Sequence, residues 1–308
     1  MKVVRIALAL LVLVPVLGQK LLGAKQPPAT ESNVLLATME KELHRGQAEL
    51  AKQDPAPYFT SYTVADSDSL MVVGAQGGVL SSSRTHHRAA AVSMRIGTPA
   101  LDNTHEEQRS SGISFGELPL RDDPDALARV LWKLTYEQYR KAQQAYTNVK
   151  TKTAVRAKDE DESPDFSQEK PSTHWEEPSA VVMPEQKTWE DLARRYSGAF
   201  RPFPHIEQSA FVILGQKERN YLVSTEGTKV VTSETIFRIV IEAESRAEDG
   251  MEMLRVETFQ FSDPTRIPSE SEITQRIQKM AADLQALRNA PLAVPYTCLL
   301  YTSPSPRD

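Results

Sequence analysis

Leu35, Met39, Leu43 and Leu50 recur at three- to four-residue spacing through 31–53, with charged residues between them. That pattern predicts a helix, which the Asp54-Pro55 step ends. Beyond it the period changes to two. Tyr58–Val64 is rich in aromatic and β-branched residues and predicts a strand. The polar run Ala65–Ser69 predicts a turn, Leu70–Val73 a second strand, and Ala75–Gly78 a second turn. From Val79 to Ile96 the chain predicts one long strand or two broken ones. In its last part Ala90, Val92, Met94 and Ile96 alternate with Ala91, Ser93 and Arg95, so one face is buried. Residues 97–123 are dense in Gly, Asn, Ser and Pro and predict a loop. A long helix follows, with Asp122 or Asp123 as its cap and Pro124 in its first turn. Leu127, Val130, Leu131 and Leu134 form its apolar face. Trp132, Tyr136, Tyr139 and Tyr146 form an aromatic stripe further round, which reads as packing.

From Lys150 to Lys187 the composition turns acidic and proline-rich, with the run Asp159–Glu162, and predicts a linker or a surface strap. The earlier order then restarts. Residues 188–200 predict a helix with Trp189 and Leu192 inward, and Thr188 with Asp191 resembles a capping box. Residues 208–261 predict four strands, with turns at 215–220, 225–227 and 247–250. A last helix carries Ile273, Ile277, Met280, Leu284 and Leu287 on one face. Ser269 or Ser271 caps it, and Asn289 and Pro291 end it. The fold class is therefore α+β: an antiparallel or mixed sheet with long helices on one face, and a helix–strands–helix order that occurs twice. Gly77 with Arg88, and Gly227 with Arg238, hold similar places in the two halves. The expected organisation is a leader over 1–24, a first α+β unit over 32–150, a linker or strap over 151–187 and a second unit over 188–297. A non-native tail follows over 298–308.

The two ends change the picture further. A basic start at Lys2 and Arg5, an uncharged run Ile6–Gly18 and the small residues Gly23 and Ala24 have the form of a secretory signal peptide. The apolar run is shorter than the roughly 20 residues a bilayer span needs. An exported protein, periplasmic or extracellular, is expected, with no membrane association once the leader is removed. The one cysteine, Cys298, opens the terminal stretch "CLLYTSPSPRD". That stretch has no hydrophobic period, and one back-translation of it matches a transposase sequencing adapter read in frame. The expectation is that natural coding sequence stops at residue 297. A formal net charge of −5 and the lack of a basic stripe argue against nucleic acid as a partner.

No catalytic constellation emerges from the residues. The histidines are His44, His86, His87, His105, His174 and His205. "HEEQRSS" has Arg109 and Ser110 where a zinc-protease helix would place its second histidine. His86 and His87 are neighbours in a strand and point to opposite faces. Ser81–Ser83 beside His86 lacks a glycine elbow and an orienting acid. "GAQGGV" lacks the dinucleotide spacing. Asp122 and Asp123 read as capping and solvated charge. Tyr58, Phe59 and Tyr62 form either a recognition patch or, more simply, sheet packing. No catalytic, cofactor or metal residue is assigned.

Seven stretches occur in a telling order: "PYFTSYTV", "GAQGGVLSSSRTHHR", "RIGTPALDNT", "LPLRDDPDALARVLWKLTYEQYRKA", "SPDFSQEKP", "YLVSTEGT" and "APLAVPYT". In order and spacing they resemble exported peptidases of the TldD/PmbA type, over about residues 32–297. The resemblance implies that this is the N-terminal, non-catalytic α+β region that helps enclose a substrate chamber. It implies that zinc is held by a His-Glu-x-x-x-His helix and a cysteine in a C-terminal domain, with no ligand carried onto any residue here. Cys298 has the wrong context to be that cysteine. A peptide substrate for the parent protein and a homo- or heterodimer follow from the same resemblance. The alternative expectation is a non-enzymatic binding or partner subunit of the same family. A third is an unrelated exported module that binds extended peptides by strand addition.

Overall fold

A computed structural model describes residues 33–105, 112–153 and 163–291. The expected leader, the acidic run 159–162 and the expected tail lie outside the described residues. The chain order is α1 (Val34–Leu50), β1 (Pro57–Ala75), β2 (Gly78–Thr98), β3 (Leu101–Asp102), β4 (Ile113–Glu117) and α2 (Pro124–Thr153). After these come β5 (Thr173–Trp175), α3 (Gln186–Gly198), β6 (Gln208–Ser224), β7 (Lys229–Arg246), β8 (Glu252–Phe261) and α4 (Glu270–Arg288). The strands form one mixed sheet in the order β3-β2-β1-β6-β7-β5, with β4 also on β2 and β8 also on β7. All pairings are antiparallel except β5 with β7. The first and second halves are joined in this sheet by β1 and β6, which pair from Ser61–Ser224 to Gly74–Phe211.

All four helices pack on one face. Tyr62, Val64, Ala90, Val92, Tyr221 and Val223 meet α1 and α2 in one core. Leu70, Val72, Phe211, Ile213, Phe237 and Ile239 meet α3 and α4 in another. The alternation predicted for Ala90, Val92, Met94 and Ile96 is the inward face of β2. Each helix starts as its sequence allows. Asn33 Oδ1 accepts from Leu36 N at 2.9 Å, Asp123 Oδ1 from Asp125 N at 3.0 Å, and Ser269 Oγ from Glu272 N at 3.2 Å. At α3 the expected box is absent, because the helix begins earlier, after Glu185, and no side chain caps it.

Several predicted turns and loops are corrected. Residues 65–69 and 215–220 do not turn; β1 and β6 run straight through them, so residues 208–261 hold three strands rather than four. Polar composition mimicked a turn, but the charges alternate and find opposite charges on the neighbouring strand, so the ladder continues. The turn at Gln76–Gly77 is real: φ is 50° and 77° there, the left-handed pair a tight hairpin requires. The predicted loop 97–123 contains β3 and β4, and the strap contributes β5 to the sheet edge. Arg88 and Arg238 are not equivalent. Arg88 shares the helix-covered face with Ala90, whereas Arg238 stands between buried Phe237 and Ile239 and therefore points to the other face.

Candidate functional site

Between the two cores the covered face of the sheet is charged. Along β1 the inward series is Tyr62, Val64, Asp66, Asp68, Leu70, Val72, so two carboxylates interrupt an otherwise apolar stripe. Asp66 lies opposite Arg88 on β2 and Arg219 on β6, and Asp68 opposite His86 and Lys217. Asp66 is the hub. Its Oδ2 accepts from Arg88 Nη2 at 2.6 Å and Nε at 2.9 Å, and its Oδ1 contacts His86 Nε2 at 2.6 Å. Arg88 is buried and also donates to Asp122 Oδ1 at 2.7 Å and Pro119 O at 3.1 Å, which fixes the start of α2. Burial works against this guanidinium's charge, yet the two carboxylates outweigh it and raise its pKa. Arg84 holds Asp68 at 2.7 Å and lowers its pKa through that hydrogen bond.

The strap crosses the β6–β7 side of this belt. Lys217 Nζ donates to Ser179 O at 3.0 Å and Val181 O at 2.7 Å, and Arg219 Nη2 to Glu176 O at 3.3 Å. The Arg219 guanidinium also sits over the rings of Trp175 at 4.8 Å and Tyr221 at 5.6 Å. Glu176 accepts from Ser233 N and pairs with His174. Burial opposes its ionised form, but these partners prevail and its pKa is lowered. The belt therefore fixes both the start of α2 and the path of the strap.

A second polar centre joins three of the stretches that carry the family resemblance. Asp102 is fully buried. It accepts from Tyr58 Oη and Arg95 Nη1, each at 2.7 Å, and from Thr104 N and Oγ1. Asp165, from the start of the strap, accepts from Asp102 N at 2.9 Å and contacts His105 Nδ1 at 2.8 Å. The Phe166 ring packs at a tilt against Phe59, 5.0 Å between centroids, and lies beneath the Arg95 guanidinium at 4.6 Å. Burial alone would raise the Asp102 pKa; the donors from Thr104, Arg95 and Tyr58 lower it instead. The Tyr58 hydroxyl is pushed up by burial and by that same carboxylate. This cluster is a buried carboxylate saturated with donors, and it latches the strap to β1 and β2.

His86 and His87 point to opposite faces, His86 to Asp66 and His87 toward Glu117 at 4.0 Å. Ser82 Oγ accepts from Gln186 Nε2 at 2.7 Å and lies four strand residues from His86, roughly 13 Å along the chain. His44 is exposed on α1, and His205 Nε2 contacts Ala281 O at 2.8 Å. The rest of "HEEQRSS" lies outside the described residues. Tyr62 is core, and Tyr58 and Phe59 belong to the latch. Sequence reasoning missed Asp66, Asp68, Lys217 and Arg219. The available signal was charge of opposite sign at period two in the segments 65–69 and 215–220. Among the described residues no three His, Cys, Asp or Glu side chains converge on one point. No helix among them is long and apolar enough to cross a membrane.

No family model matches the chain, and no curated protein matches it. Solved structures do. A Thermotoga maritima protein, described as a candidate modulator of a DNA gyrase, is similar over 83% of this chain and 50% of its own. The identity is 10% and the TM-score 0.50. TldE from Thermococcus kodakarensis is similar over 80% and 47%, at 11% identity and a TM-score of 0.47. This chain thus spans about half the length of the structures it matches. What is shared with the Thermotoga maritima protein is the fold over the matched residues.

Proposed function

We propose that this chain forms the non-catalytic, substrate-enclosing region of an exported zinc-dependent peptidase of the TldD/PmbA type. The carrying observation is the fold shared with the Thermotoga maritima structure across 83% of this chain. The ordered run of motifs from "PYFTSYTV" to "APLAVPYT" supports the same reading. Among the described residues no three His, Cys, Asp or Glu side chains meet, so this reading assigns zinc to none of them. In this reading the ion belongs to a further domain and no step passes through these side chains. The chain's own contribution is a rigid wall. Ion pairs cross the belt from strand to strand, and the latch and strap tie residues distant in sequence to that sheet.

The test is to sequence the locus through codon 297 and assay the protein it encodes. A His-Glu-x-x-x-His motif downstream, with chelator-sensitive hydrolysis of unfolded peptides by the longer protein and none by the 308-residue chain, is the expected result. A downstream domain without that motif would instead make the protein a non-enzymatic partner subunit. Chelator-sensitive hydrolysis by the 308-residue chain itself would overturn the reading.

A further inference from the structure

The outer edge of β7 is covered in two separate stretches. β5 pairs with Lys229–Val231, and β8 pairs with Phe237–Arg246. Residues 232–236 lie between these partners. In an extended strand the backbone groups of alternate residues point to the same edge. Lys229 N donates outward to Ser172 O at 2.8 Å, Val231 O accepts from Glu176 N at 3.0 Å, and Ser233 N donates to Glu176 Oε2 at 2.8 Å. The next outward groups in this series are Ser233 C=O and the N–H and C=O of Thr235. There the strap has left the edge for the covered face, where Ser179 meets the Thr235 hydroxyl at 2.7 Å. An open cleft of about 500 Å³ occupies the place, lined by Glu234, Thr235, Ile236, Gln260, Phe261, Ser262 and Arg266. That is within the usual size of a ligand site, roughly 300–1,000 Å³. Arg266 makes no ion pair among the described residues. Asp263, in the same turn, accepts from Thr265 N and Oγ1, and its pKa is lowered by those bonds and, more weakly, by the nearby Arg266 charge.

We propose that this notch binds an extended segment of a partner polypeptide, which takes the ladder positions on β7 that no described strand fills and sets a carboxylate against Arg266. The exposed edge offers one donor and two acceptors, and a simple anion would be repelled by the two carbonyls. A polypeptide residue both gives and accepts, so it can exchange two hydrogen bonds with Thr235. Ile236 and Phe261 supply apolar wall for its side chains, and Arg266 selects for negative charge at one end. The carboxylate can be an Asp or Glu side chain or a chain terminus. The proposal stands apart from the peptidase reading, since it uses no residue of the latch and needs no further domain.

The experiment is selection of displayed random heptapeptides on the full 308-residue chain, with counter-selection on Thr235→Pro, which removes the exposed donor. Recovered peptides are synthesised and their affinity measured by fluorescence anisotropy. Peptides that survive should carry a carboxylate. Arg266→Ala should weaken them about tenfold, as should N-methylation of the peptide amide that meets Thr235 C=O. Amidating the C-terminus separates terminal from side-chain carboxylates. Circular dichroism checks that Thr235→Pro is folded. If it is not, counter-selection moves to Arg266→Glu, on an exposed turn, and the N-methylated peptide tests the backbone bond. No survivor from the operative counter-selection, or survivors that bind Arg266→Ala and bind in N-methylated form as tightly as before, would overturn the proposal.

Discussion

The two cores that flank the charged belt share one layout, a helix pair laid on strands, but they are sealed in different ways. Under α3 the contact is backbone-close. A Cβ on Gly74 would sit 2.6 Å from Ala193 O, and one on Gly215 would sit 2.5 Å from the Trp189 ring. Phe200, Phe211 and Phe237 fill the rest, with Trp189 edge-on to Phe237 at 5.8 Å. Under α1 and α2 the core is threaded by hydrogen bonds. Thr135 Oγ1 donates to Leu131 O at 2.7 Å, so the buried Tyr62 hydroxyl, 2.6 Å away, is the donor to Thr135. Ser114 donates to Gln138 at 2.9 Å, and buried Glu42 is held by Arg45. One half therefore depends on shape and the other partly on satisfied polar groups, and the two should respond differently to substitution.

The largest effect should come from shape. Phe237→Ala removes a fully buried ring that Trp189 and Phe261 pack against, and should cost about 3–5 kcal/mol in denaturant unfolding. Next should come the belt itself. Arg88→Met leaves Asp66 and Asp122 without their shared cation. A loss of about 3 kcal/mol is expected, at the low end for a broken buried pair because Asp122 is half exposed. Adding Asp66→Asn should restore part of it, and a double-mutant cycle with no coupling would show that the belt contributes nothing beyond burial. Tyr62→Phe, in the hydrogen-bonded core, should cost only about 1 kcal/mol, since Thr135 keeps its bond to Leu131. A Tyr62→Phe loss as large as that of Phe237→Ala would break the contrast between the halves.

How much of this was legible depends on which signal each region carries. The cores were readable: Leu35, Met39 and Leu43 on α1, and the β2 alternation, fall inward as their periods require. So did the repeated order of elements, and with it the fold class. The belt was not readable by composition. Four polar residues, Asp66–Ser69, between apolar runs satisfy the description of a turn as well as that of a strand crossing a polar zone. Only the partner strand decides between them, and Asp66 meets Arg219 across 153 positions of chain. The latch was hidden for the same reason. Asp102 and Asp165 are unremarkable in sequence, and their chemistry exists only because the strap returns to β3. The notch on β7 could not be read at all, since it is defined by where two other strands stop.

The smallest effects test charge on the two faces, and they should have opposite signs. Asp68 in the belt has its pKa lowered by the hydrogen bond from Arg84. A lowered carboxylate contributes stability above its unfolded value, near 3.9, and loses it as pH falls through the folded value. Glu242, on the face of β7 opposite the helices, has its pKa raised by partial burial and then by Glu244. Between the unfolded value, about 4.3, and the raised one the folded state holds more protons, so stability falls as pH rises. Asp68→Asn should therefore lower Tm at pH 7 and Glu242→Gln should raise it, each by about 1–2 °C. Both differences should vanish at a pH low enough to protonate the two carboxylates in folded and unfolded chains alike. Thermal melts from pH 2.5 to 7.5 on the two variants would show this. A shift of the same sign for both would mean that net charge governs them, rather than the paired environment of one face and the unpaired environment of the other.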